Sequence, residues 1–203
     1  MQANYILYLE GKEERFSGSS DYRVREQIIQ RVIEYISRPA REGCFIKYRV
    51  EDNLEKFNNE VRAYQVLYPS GPNRFGPFGL CPKLLSCDYQ EFRCYNVEEG
   101  EEFTLYGYYV ETELFGVSLH EKFPIAHPLG AGDTSLETVK DIDAYFNYPT
   151  EINQKIKHVL ERMHELGIVH EDMHGGNLLI TGEGEDAQIK VIDFELVTFL
   201  PVY

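Results

Sequence analysis

The stretch His170-Glu-Asp-Met-His-Gly-Gly-Asn-Leu-Leu-Ile180, followed downstream by Ile192-Asp-Phe-Glu195, decides the reading of this chain. Gly167 stops a helix before the first segment, and Gly175-Gly176 breaks any helix within it, so the segment reads as a loop between two apolar runs. The loop carries Asp172, His174 and Asn177; the second segment carries Asp193 between apolar Ile192 and Phe194. A carboxylate such as Asp172 can orient or deprotonate a hydroxyl. An amide oxygen and a second carboxylate, here Asn177 and Asp193, are the hard donors that hold magnesium.

Working outward, Ile152, Ile156, Val159, Leu160, Met163 and Leu166 recur at helical spacing over 152–166. Residues 178–180 and 189–192 read as short strands joined by a Gly-rich acidic turn at 181–187. In the first half, Val24, Ile28, Val32 and Ile36 predict a helix over 21–36, with Ser19 or Ser20 as its cap and Arg38-Pro39 as its end. A strand over 43–50 and a helix over 54–67 follow, the helix turning Phe57, Val61, Tyr64 and Leu67 inward. Residues 69–82 and 124–133 are Gly- and Pro-rich loops. Residues 84–96 and 103–111 predict antiparallel strands around the acidic turn 98–102, with Glu111 and Glu113 facing solvent and 114–119 acting as a connector. The order predicts an α+β protein, strand-rich first and helical with a small hairpin second.

Upstream of the loop, Lys47 stands in an apolar strand and Glu60 in the helix after it. On these residues the chain resembles the protein-kinase-like superfamily. His170-x-Asp172-x-His174-x-x-Asn177 is similar to the catalytic loop of its small-molecule kinase branch, the aminoglycoside phosphotransferase and choline kinase-like enzymes. These carry histidine at the position of His174, where protein kinases usually have lysine. Ile192 to Glu195 resembles the magnesium motif of choline and ethanolamine kinases. Lys47 resembles the lysine that grips the ATP phosphates, Glu60 the helix glutamate that pairs with it, and residues 110–119 the strand and hinge that receive adenine. The resemblance runs from about Gly43 to Val197.

The resemblance implies a bilobal fold: an N-lobe over 1–113, made of an N-terminal helix and an antiparallel sheet, and a reduced helical C-lobe over 114–203. It implies a kinase that uses ATP and Mg2+ to phosphorylate a hydroxyl of a small molecule or a protein. Asp172 and His174 would be catalytic, Lys47 and Glu60 would bind the nucleotide, and Asn177 and Asp193 would hold the metal. The chain departs from the family twice. No Gly-x-Gly-x-x-Gly turn precedes Lys47, where Gly11 and Gly18 stand isolated, and no activation segment or substrate-binding helices follow Glu195. These departures imply an alternative, a pseudokinase that binds nucleotide or protein, and a protein partner that covers the reduced C-lobe.

The chain has 34 acidic and 20 basic residues, a net charge of −14 that repels nucleic-acid backbone and anionic lipid. No apolar run is long enough to span a bilayer, and Met1 to Glu10 lacks a basic leader and a small-residue cleavage site. The expectations are no nucleic-acid partner, no membrane and a cytoplasmic protein. Cys44, Cys81, Cys87 and Cys94 form no Cys-x-x-Cys pair and read as free thiols. His170-Glu171-x-x-His174 also has zinc-hydrolase spacing. That pattern needs a helix to aim both rings at one metal and a third ligand, such as Glu183 or Glu185.

Overall fold

The computed structural model describes residues 3–68, 79–124 and 140–201. Of the two predicted loops, 69–78 and 125–133 lie outside the described residues. The fold is mixed α+β. Its backbone divides into two compact units, Met1–Glu55 with Ser86–Glu111, and Lys56–Leu85 with Thr112–Tyr203.

The first unit is built on a five-stranded sheet. Strand β1 (Ala3–Leu9) pairs with β2 (Lys12–Gly18) as a hairpin, helix α1 (Asp21–Ile36) follows, and β3 (Cys44–Glu51), β4 (Leu84–Asn96) and β5 (Glu101–Glu113) complete the order β2-β1-β4-β5-β3. Leu9 pairs with Lys12 across a two-residue turn in which Glu10 and Gly11 both have positive φ, 50° and 78°. That is the turn whose twist matches a right-handed hairpin. The strand period places Tyr5, Leu7 and Leu9 on one face, where the helix stripe Val24, Ile28 and Val32 meets them with Phe92 and Cys94. Each such fully buried aliphatic side chain contributes about 1.5–3 kcal/mol. Gly107 lets the helix settle on the sheet: a Cβ there would come 2.8 Å from Val32 and 2.9 Å from Phe92. Ser20 occupies the N-cap position of α1, but its side chain makes no capping bond.

Glu111 departs from expectation. It is buried, with 1% of its side chain exposed, and bonds to Arg38 (2.8 Å), Arg41 (two bonds of 2.8 Å) and Ser86 (2.7 Å). A buried carboxylate is tolerated because the two guanidinium groups and the hydroxyl replace its water. In the second unit Glu113 is also engaged rather than solvated, accepting from Lys190 Nζ (2.8 Å) and the Lys83 backbone N–H (3.0 Å).

The second unit contains α2 (Glu55–Leu67, from Lys56 onward), β6 (Val117–Ser118), α3 (Leu119–Lys122), α4 (Ile142–Tyr145), α5 (Thr150–Glu165) and strands β7 (Ile168–His170), β8 (Leu178–Thr181), β9 (Gln188–Val191) and β10 (Val197–Phe199). Helix α5 buries Ile152, Ile156, Val159, Leu160 and Met163, the stripe its spacing predicts. Gly167, at φ 73°, turns the chain out of it. Strand β8 pairs with β6 and β9, and β7 pairs with β10. Among the described residues, no helix is long and apolar enough to cross a membrane.

Candidate functional site

Strand pairing creates the site. The ladder β7–β10 ends with His170 opposite Val197, and the ladder β8–β9 begins with Leu178 opposite Val191. The connections 171–177 and 192–196 must therefore leave the two ladders side by side. Three bonds close the seam. His170 Nε2 lies 3.1 Å from the Ile192 carbonyl, the Ile192 N–H donates to the Asn177 carbonyl (3.0 Å), and the Glu171 N–H donates to the Leu196 carbonyl (2.9 Å).

His170 is fully buried and both its ring nitrogens are engaged. Nδ1 accepts the Asp172 N–H (3.2 Å), which puts the proton on Nε2 for the Ile192 carbonyl. Burial pushes the imidazole below its ordinary value, against the opposing pull of the Ile192 carbonyl and nearby carboxylates, so the neutral ring is the resident form. This arrangement removes the zinc-hydrolase geometry: the segment is strand and turn, and His170 has no nitrogen left for a metal.

Asn177 is 5% exposed. Its Nδ2 donates to the Asp172 carbonyl (2.8 Å), which fixes the amide orientation, since only the NH2 end can face a carbonyl. That orientation turns the hard oxygen Oδ1 away from the Asp172 carbonyl. The Asp172 side chain is 43% exposed. His174 accepts the Gly176 N–H at Nδ1 (3.0 Å), so its proton sits on Nε2, 3.8 Å from Asp172 Oδ2.

Asp193 has φ 64°, a left-handed backbone that aspartate tolerates better than most residues. Phe194 pins the turn: it is fully buried, edge-on to Tyr64 (5.0 Å) and to His170 (5.7 Å). Tyr64 and Glu60 lie on α2 one turn apart, on one helical face. Oxygens of Glu60, Asp193 and Glu195 lie within 4.8 Å of one another. Three carboxylates at that range repel unless a cation, ammonium or metal, sits among them. Carboxylate oxygens are donors of the kind that hard cations take.

The second unit thus brings together Glu60, Asp172, His174, Asn177 and Asp193, and adds Glu195, which the sequence reading quoted only as part of a motif. Lys47 stands on β3 of the first unit, half-buried. A cavity of about 400 Å³ opens beside Lys155, His158 and Lys190, and none of the expected site residues lines it. No protein-family model matches the sequence.

Proposed function

We propose that this protein is a bilobal, protein-kinase-like phosphotransferase that uses ATP and Mg2+. One observation carries the reading. The loop bearing Asp172 and Asn177 is stitched to the turn bearing Asp193 by the Ile192 backbone, whose N–H and C=O are taken by Asn177 and His170. A base and two metal donors held in fixed relation are what phosphoryl transfer asks of a protein, because its catalysis is mostly positioning and charge stabilisation.

In the proposed reaction Asp193 and the Asn177 amide oxygen would hold magnesium, which would supply charge neutralisation for the transferred phosphate. The acceptor hydroxyl oxygen forms a bond to the γ-phosphorus as the bond to the β–γ bridging oxygen breaks. The hydroxyl proton passes to Asp172, and ADP leaves. His174, with its proton on Nε2, is a donor for the transferred group. The acceptor is a small molecule or protein carrying a hydroxyl, and the setting is the cytoplasm.

A second reading, a pseudokinase binding module, has an observation of its own. Helix α1 occupies the stretch before β3, and the β1–β2 hairpin pairs with β4, so no glycine-rich turn among the described residues precedes Lys47. The test is magnesium-dependent formation of ADP from ATP, with water and a panel of hydroxyl compounds as acceptors. Asp172→Ala is expected to lower the rate by roughly 10²–10⁴-fold, the usual worth of a positioned base. ATP binding with no ADP formed from any acceptor would establish the pseudokinase instead.

A further inference from the structure

His120 and Tyr148 belong to none of the motifs above, yet their rings rest on the loop that carries Asp172. Tyr148, between α4 and α5, is 6% exposed and its hydroxyl oxygen has no hydrogen-bond partner among the described residues. Phe123 and Phe146 flank its ring at 5.7 Å and 5.9 Å. A buried hydroxyl without a partner lowers stability relative to phenylalanine, so packing alone gives no reason for it.

The hydroxyl sits against Gly175. A Cβ on Gly175 would overlap the Tyr148 hydroxyl oxygen and come 3.2 Å from His120 Cδ2. A Cβ on Gly176 would come 2.8 Å from His174 Cε1 and 3.7 Å from His120 Nδ1. Gly175-Gly176 is therefore a bare strip of backbone on which three rings lie. The His120 backbone N–H donates to the Gly175 carbonyl (3.2 Å), and the His120 ring stacks on His174 with centroids 6.0 Å apart and planes 25° from parallel.

We infer that His120 and Tyr148 are positioning residues: they clamp Gly175-Gly176 and hold the His174 ring with its Nε2–H toward Asp172. On the phosphotransferase reading, on which the catalytic consequence rests, the clamp aims Asp172 and His174 at the reacting groups.

The test is nitrogen-15 NMR of the histidine side chains in wild type, His120→Ala, His120→Phe and Tyr148→Phe. Wild type is expected to show His174 as the Nε2–H tautomer. His120→Ala is expected to mix the tautomers, and His120→Phe, which restores a stacking ring, to recover the wild-type signature. Unchanged His174 signals in His120→Ala overturn the inference. A second arm needs no folded His120→Ala. Gly175→Ala is expected to lower Tm, and adding Tyr148→Phe to restore most of it, because the closest remaining atoms, Tyr148 Cζ and His120 Cδ2, stand at 3.3 Å and 3.2 Å. A double variant no more stable than Gly175→Ala also overturns it. ADP formation measured on the same proteins separates the two claims. The tautomer signature without ADP removes the enzyme and keeps the clamp, whereas ADP formation with His174 signals indifferent to His120 removes the clamp and keeps the enzyme.

Discussion

Two glycines show how differently one residue type can be required. At Gly11 a Cβ would meet nothing within 4 Å, but φ is 78°. At Gly175 φ is unremarkable and space is the constraint. Gly11→Ala is expected to cost about 1 kcal/mol, purely through the backbone. Thermal unfolding measures it, and no second-site change in a side chain should relieve it, since none is in the way. The sequence displayed Asp172, His174, Asn177 and Asp193 because their spacing is local. The partners that fix them were hidden. Tyr64 read as a core residue of a helix, and only the fold turns its ring onto Phe194. His120 and Tyr148 lie far along the chain from Gly175, and nothing in their own surroundings announces the contact. Glu111 was misread for a similar reason: a carboxylate in a strand is usually exposed, and its two arginines come from a segment distant in sequence.

Elements with a strong period were legible. The stripes of α1 and α5 lie where their spacing put them, whereas α2 buries Phe57, Tyr64 and Leu67 as expected but Glu60 and Ala63 in place of Val61. The β1–β2 hairpin was not foreseen, because its turn is Glu10-Gly11 and β2 is mostly charged, so neither the usual turn dipeptide nor a long apolar alternation marks it. Strands of three residues, β7 and β10, are too short to show a period, although their pairing sets the two site segments side by side. In the first unit the sheet is tied to the segment after α1 by Glu111. Bonds from Arg41 and then Ser86, with the charges of Arg41 and Arg38, hold its carboxyl at about 2, against an ordinary 4.5 and despite the opposing effect of burial. The unfolded chain therefore takes the proton first. The stabilisation is complete above pH 4.5 and is lost as pH falls from there toward 2. Glu111→Gln is expected to be less stable than wild type at neutral pH, with the two Tm curves converging across that window. Curves that stay parallel down to pH 2 would show that Glu111 is not the titrating link.

At the scale of the whole molecule, sequence and fold agree on an α+β chain, and the seam between 171–177 and 192–196 is the feature on which the proposed phosphoryl transfer rests. Helix α2 follows β3 in sequence, yet its compact unit is the one that holds the seam, and through Glu60 it contributes to the carboxylate cluster. The central claim is that this acidic turn receives magnesium together with ATP. The measurement that tests it most directly is thermal stability with ATP plus Mg2+ and with ATP plus chelator, for wild type and Asp193→Asn. Asparagine suits the left-handed backbone at this position, so the variant removes the charge while keeping the turn. A ligand at a hundredfold over its Kd adds about 2.7 kcal/mol. The account predicts a shift of that order with Mg2+ and ATP, lost with chelator and lost in Asp193→Asn. An equal response to ATP with and without Mg2+, or an undiminished shift in Asp193→Asn, would contradict it.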